Sequence, residues 1–272
     1  MFLLSTASGA SAMTDCGDAQ TPCEVEGGSY HAAIPEGVER PPIVLFLHGA
    51  GGTGVSSVRN PARAARYTDR GYALIAPQGL RGAKPNRDWG VRDGAPQTRD
   101  DIAFLNRVLD DAAERFGLDR DRVLAAGFSR GGSMIWDLAC LAPDTATAYA
   151  AVAGAFWEPM HEGCEAAVHL HHTHGFSDPM VPFEGRVVSW QGRSYHQGNV
   201  MKGLDVWRQG MGCMARAVDT QTDGNLWRKE WPACSSGSLT LLLGPGGHGV
   251  PRGWLGEVLD WFEGLPQPGD QG

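Results

Sequence analysis

No stretch of this 272-residue sequence approaches the roughly 20 consecutive apolar residues that a membrane-spanning helix needs. No cluster of Lys and Arg is present and the formal net charge is −8, so the electrostatic footprint of a nucleic-acid-binding surface is missing. No C-x-x-C occurs, and no cysteine stands at zinc-finger spacing with histidine. No internal repeat and no low-complexity linker divides the chain. What remains is ordinary globular composition, 42% hydrophobic and 20% charged, at a length that suits one large α/β domain with a sizeable core.

The six cysteines (Cys16, Cys23, Cys140, Cys164, Cys213 and Cys234) are even in number and scattered. That points to disulfides and an oxidising compartment, secreted or periplasmic. Sequence alone leaves many connectivities open; pairing of neighbours, 16–23, 140–164 and 213–234, is the expectation. Residues 1–13 contain a short apolar run and an Ala10-Ser11-Ala12 end. They read as a signal-peptide remnant or a disordered tail. The catalytic unit is expected over 14–265, with 266–272 as a tail.

Apolar strand patterns alternate with amphipathic helical ones. "PPIVLFLHGAGG" carries a strand over 43–47 that runs into a glycine-rich loop. "YALIAPQG" is a second apolar strand, and "TRDDIAFLNRVLDDAAERFG" is the clearest helix, stopped by Gly117. "RVLAAGFS" predicts a buried strand followed by a helix over 131–141. "AYAAVAGAF", "AVHLHHTHG" and 239–243 predict further strands; "GNVMKGLDVWRQG" and "GWLGEVLDWFEG" predict helices. Residues 80–98 read as a long surface loop carrying Trp89. Strands apolar throughout and alternating with helices imply a mostly parallel sheet covered on both faces. Such sheets bind ligands at the carboxyl ends of their strands.

At one such end stands "GFSRG", the G-x-S-x-G of a nucleophile elbow. Gly127 and Gly131 allow strand and helix to meet at a tight turn, which lifts the Ser129 hydroxyl above the sheet edge. A serine hydroxyl needs a base. His248, in "GPGGHGVP" after the strand 239–243, is the candidate among nine histidines. The acid should lie between them in the chain. Asp178 follows the "VHLHHTHG" strand and is the candidate; Glu184 and Asp205 are weaker rivals. An oxyanion hole needs backbone N–H groups. Arg130, after the nucleophile, and Ala50 and Gly51, in the loop after the early strand, are the expected donors. His169 and His171 alternate with His172 and His174 across the strand, so no metal ligand set is evident and no cofactor is expected. His174 stands next to the acid loop, within reach of a hydrogen bond near the site.

"LFLHGAGG", "APQG", "DDIAFL", "AAGFSRGGSM", "AVAGAF", "HTHGFSDPMVPFEG" and "GGHGVPRGW" together resemble, in the same order, secreted bacterial polyhydroxybutyrate depolymerase-like esterases. Feruloyl and acetyl xylan esterases are close relatives of that group. The resemblance spans nearly the whole of 14–265. It implies an α/β-hydrolase fold, a Ser129–Asp178–His248 triad, and paired cysteines like Cys140–Cys164 and Cys213–Cys234. The chain departs from that family at Arg130, whose side chain is expected at the cleft rim, and in the loop 80–98. With no separate substrate-binding domain or Thr-rich linker expected after the catalytic region, soluble oligomers or small esters are expected rather than solid polymer.

The reading is therefore a serine carboxylesterase for short-chain esters or soluble hydroxybutyrate oligomers, with Trp89, Phe156 and Trp157 as an apolar substrate wall. Feruloyl or acetyl xylan ester hydrolysis is the alternative. A peptidase, or an inactive polymer binder that stacks sugar on Trp89, Trp157 or Trp190, is a more distant one. The expected partner is a small or oligomeric ester, with no nucleic acid and no membrane span; the oligomeric state is not legible.

Overall fold

The computed structural model describes residues 16–81, 87–94, 96–190, 192–217, 219–223, 225–231 and 234–266. The segment 1–13 and nearly all of 266–272 lie outside the described residues, as does the side chain of Trp190.

The chain opens with β1 (Cys23–Val25), β2 (Gly28–Ala33), β3 (Pro42–Leu47), α1 (Val55–Val58), α2 (Pro61–Thr68) and β4 (Ala73–Pro77). Next come β5 (Leu80–Arg81), β6 (Arg87–Asp88), α3 (Asp101–Phe116), β7 (Asp119–Phe128), α4 (Arg130–Leu141), β8 (Ala148–Val152) and β9 (His169–Gly175). It finishes with β10 (Arg186–Trp190), β11 (Arg193–Gln197), α5 (Val200–Gly210), β12 (Asp219–Asp223), β13 (Leu226–Trp231), β14 (Ser238–Gly244) and α6 (Trp254–Glu263).

Ten strands form one sheet in the order β1-β2-β4-β3-β7-β8-β9-β14-β13-β12. From β4 to β14 the neighbours are parallel; β1, β2, β13 and β12 extend the two edges in antiparallel fashion. The continuous apolar strands follow from burial on both faces. In β3, Ile43, Leu45 and Leu47 enter one core and Val44 the other. In β7, Val123 and Ala125 face the first and Leu124 and Ala126 the second. Helices α3, α4 and α5 cover the first face; α2 and α6 cover the other. Helix α3 starts where Asp100 accepts the Ala103 N–H at 3.0 Å, and ends at Gly117 in the left-handed region, φ 66°.

All three disulfides join chain neighbours: Cys16–Cys23, Cys140–Cys164 and Cys213–Cys234. Closing loops of 24 and 21 residues, as the latter two do, stabilises each by about 3 kcal/mol in the chain-entropy account.

The structure corrects the expectation for 80–98. It does not simply cross the surface: Trp89, only 2% exposed, Val91 and Asp93 fold inward, while Arg92, Gly94 and 96–98 stay exposed. Polar anchors hold it there: the Gly90 N–H donates to Asp101 Oδ2 at 2.5 Å and the Arg92 N–H to Asp137 Oδ2 at 2.7 Å. The many polar residues of this stretch concealed a segment satisfied by buried carboxylates from α3 and α4. The hairpins β10–β11 and β12–β13 were also not legible as strands, because their exposed faces give no continuous apolar run.

Candidate active site

Ser129 stands between β7 and α4 with φ 57° and ψ −121°. Non-glycine residues rarely adopt this conformation, and such strain collects at functional turns. It persists here because both neighbours fix it. The Ser129 N–H donates to the Val152 carbonyl at 2.8 Å, and α4 begins at once. A Cβ on Gly127 would stand 2.4 Å from the Gly131 carbonyl oxygen, and one on Gly131 2.3 Å from the Leu47 carbonyl oxygen. The two glycines are thus required by backbone contact rather than by flexibility.

The hydroxyl meets its expected partners. Ser129 Oγ lies 2.8 Å from His248 Nε2, and His248 Nδ1 lies 2.8 Å from Asp178 Oδ2. His248 reaches back across the sheet from the end of β14, and its ring packs on Phe128 at 4.9 Å. The Asp178 side chain is fully buried. Its other oxygen, Oδ1, accepts the N–H groups of Met180 (2.8 Å) and Val181 (2.9 Å), so the buried carboxylate is hydrogen-bonded on both oxygens. The rival acids are elsewhere: Glu184 is exposed, and Asp205 binds Arg208 and Gln209.

Of the three expected oxyanion donors, two remain available. Arg130 begins α4, so its N–H has no intrahelical acceptor. No partner of the Ala50 N–H is found among the described residues. Gly51 is a correction: its N–H donates to the Arg87 carbonyl at 2.8 Å and is already engaged. The loop itself comes close, since a Cβ on Gly49 would lie 3.2 Å from Ser129 Cβ. Sequence reasoning missed what holds it. His48 Nδ1 donates to the Gly49 carbonyl at 2.8 Å, His48 Nε2 accepts the Gly79 N–H at 3.0 Å, and Trp89 Nε1 donates to the His48 carbonyl at 2.8 Å.

The expected apolar wall is a second correction. Trp89 serves the loop just described, and Phe156 (1% exposed) packs in the core against Trp136 and Trp207. Trp157 is 8% exposed and lies under the Arg130 guanidinium, 4.8 Å away. None of these rings stands open to stack on a ligand. Arg130 is a third correction. Its side chain turns inward, with Nε 2.8 Å from Asp88 Oδ1 and Nη2 2.6 Å from Asp93 Oδ2, so it staples the folded-in loop to the nucleophile helix instead of lining the rim. Among the described residues, the aromatic rings that do stand open are Phe176, 61% exposed directly after β9, and Trp227, 51% exposed on β13. They meet edge-on at 6.2 Å.

Beneath the acid loop, His172 and His174 occupy alternate positions of β9 on one face, with His172 Nε2 3.0 Å from His174 Nδ1. Burial lowers the pKa of both; in His172 the neighbouring His174 and His171 lower it further, while in His174 the hydrogen bond to the Val181 carbonyl and the Asp178 charge oppose the shift. Both are therefore neutral in the folded protein near pH 7. Below about pH 6.5 the unfolded chain takes up protons that the folded chain does not. Stability is accordingly expected to be full above that pH. It should fall as pH drops, by up to about 1.4 kcal/mol per pH unit for each such group. Urea unfolding at pH 7 and pH 5 checks this; equal stabilities would refute it.

No family model matches the chain. It is 25% identical over 239 residues to feruloyl esterase C of Emericella nidulans, covering 85% of this chain and 80% of that protein. It is 26% identical over 241 residues to the probable feruloyl esterase C of Aspergillus niger, with 85% and 80% covered. Among solved structures it superimposes on the acetyl xylan esterase of Aspergillus awamori with a TM-score of 0.64, at 16% identity, covering 87% of this chain and 94% of the other. The Bacillus cereus carboxylesterase gives 0.59, at 16% identity, with 88% and 94% covered. The fold is the α/β-hydrolase fold. In that fold the order along the chain is serine, acid, histidine, and the candidates Ser129, Asp178 and His248 follow the same order.

Proposed function

We propose that Ser129, His248 and Asp178 form the catalytic triad of a serine esterase specific for short acyl groups. This chain is a carboxylic ester hydrolase, consistent with its esterase relatives and its fold. The observation that carries the residue assignment is the unbroken chain of contacts from Ser129 Oγ through His248 to Asp178, each 2.8 Å long, at a strained elbow. In the first half-reaction His248 Nε2 takes the Ser129 proton as the oxygen attacks the ester carbonyl. The oxyanion lies against the N–H groups of Arg130 and Ala50. His248 then returns the proton to the departing alcohol. Water, deprotonated by His248, releases the acid from Ser129. Asp178 holds the imidazole in the tautomer this requires and stabilises the imidazolium.

Acetate-to-butyrate esters and soluble hydroxybutyrate oligomers are the proposed substrates. The commitment of Trp89 and Phe156 to the core supports this, because a long acyl chain gains from further apolar surface at about 25 cal/mol per Å² buried. One observation favours a second reading, feruloyl or acetyl xylan ester hydrolysis. The open rings of Phe176 and Trp227 beside the acid loop offer a face for a planar aromatic or sugar group. The disulfides support a secreted or periplasmic location, and no described helix is long and apolar enough to cross a membrane. Catalytic efficiency along a p-nitrophenyl ester series is expected to peak between two and four acyl carbons, on the order of ten-fold above the octanoate. A peak at twelve carbons or beyond would reject the short-acyl reading, and a higher efficiency on methyl ferulate than on any of the series would select the second.

A further inference from the structure

The turn that presents Asp178 is tied down from below. Val181 is gripped at both ends: its N–H donates to Asp178 Oδ1 at 2.9 Å, and its carbonyl oxygen lies 2.8 Å from His174 Nε2. A carbonyl only accepts, so His174 Nε2 carries the proton. In the neutral ring Nδ1 is then bare, and it accepts from His172 Nε2 at 3.0 Å. The tautomers of both histidines follow from this one carbonyl. His172 Nδ1 is left buried with no partner among the described residues. A buried nitrogen left this way is tolerable when it is a bare acceptor on a neutral ring and costly when it carries a proton, which reinforces the same assignment. His174 is itself fully buried, packs on Phe183 at 4.7 Å, and places Nε2 3.7 Å from Asp178 Oδ2.

With Oδ1 engaged by the Met180 and Val181 N–H groups, the direction of Oδ2 depends on where that turn sits. We propose that His174 is a positioning residue for ester hydrolysis: its neutral ring, donating from Nε2 to the Val181 carbonyl, holds the 178–181 turn so that Asp178 Oδ2 remains aimed at His248. This rests on the reading of Ser129, Asp178 and His248 as the triad. His174 touches neither substrate nor the reacting atoms; it acts through Asp178.

Two substitutions separate this tether from packing. His174→Phe keeps a ring against Phe183 and loses the donor; His174→Gln keeps a terminal N–H and loses the ring. The Phe variant is expected to lose kcat by on the order of ten-fold or more, the scale on which orienting partners act, with KM little changed. The Gln variant is expected to recover most of the loss. The low-field proton resonance of His248 Nδ1–H reports the Asp178 contact without any substrate, and is expected to weaken or vanish in the Phe variant and persist in the Gln variant. Nitrogen-15 NMR of the unaltered protein at pH 7 is expected to find His174 neutral and protonated at Nε2. A His174 that is cationic or protonated at Nδ1 overturns the proposal even if a variant fails to fold. So does a Phe variant with unaltered kcat and resonance, or Phe and Gln variants that fall equally. If Ser129→Ala retains activity, the triad reading fails, while the resonance and tautomer measurements still decide whether His174 holds Asp178.

Discussion

Ser129→Ala is expected to lower ester turnover by on the order of 10³-fold or more, because the acyl-enzyme route disappears while the oxyanion donors and substrate contacts remain. The protein should stay folded. Ser129 is the N-cap of α4, yet its side chain makes no capping hydrogen bond. Removing the hydroxyl therefore leaves no helix N–H newly unpaired, and alanine tolerates the φ of 57° no worse than serine does. Steady-state rates with p-nitrophenyl acetate, alongside a thermal melt, are the measurement. A folded variant with near-unaltered rate would remove Ser129 as the nucleophile.

Gly131→Ala is expected to destabilise the fold by on the order of 3 kcal/mol or more, at the upper end of what overpacking costs. The added Cβ would meet the Leu47 carbonyl oxygen at 2.3 Å and the His48 carbonyl oxygen at 2.7 Å. These are backbone atoms of β3 and the loop after it, so no side-chain rotation relieves the collision. Helix α4 and β3 would have to part. Any relief also displaces the Gly49–Ala50 turn beside Ser129, so activity should fall even in molecules that fold. Gly256→Ala is the matched control. A Cβ there meets nothing within 4 Å, and alanine in a helix is favoured over glycine by up to about 1 kcal/mol. Urea midpoints of the two variants should thus move in opposite directions; a Gly131→Ala midpoint equal to that of the unaltered protein would show that the contact relaxes freely.

The parts of this protein legible in its sequence are those with a short-range physical signature. Strands buried on both faces must be apolar throughout, so β3, β4, β7, β8 and β14 announce themselves. The elbow demands glycine where backbones touch, and this makes Gly127-x-Ser129-x-Gly131 readable. A histidine and an acid that must follow particular strands can be found from chain order, and Asp178 and His248 do lie within reach of Ser129. The neighbour pairing of the cysteines also holds.

Tertiary structure decided everything that depends on which polar group satisfies which. Trp89 and Phe156 look like surface aromatics in a polar stretch and after a strand. The His48 carbonyl and the Asp101 carboxylate draw Trp89 and its loop inward, and the rings of Trp136 and Trp207 take up Phe156. Arg130 looks like a rim cation, but Asp88 and Asp93 capture it. Gly51 looks like an oxyanion donor, but the Arg87 carbonyl occupies its N–H. The tie from His172 through His174 to the Asp178 turn has no sequence signature, because it is a matter of tautomer and of one carbonyl's direction. The sequence by itself determined the apolar parallel strands of the sheet, the elbow and the chain order of the candidate triad residues, since these need only periodicity and small residues at fixed places. The surroundings of the site were determined in three dimensions, where each buried donor and acceptor had to find a partner.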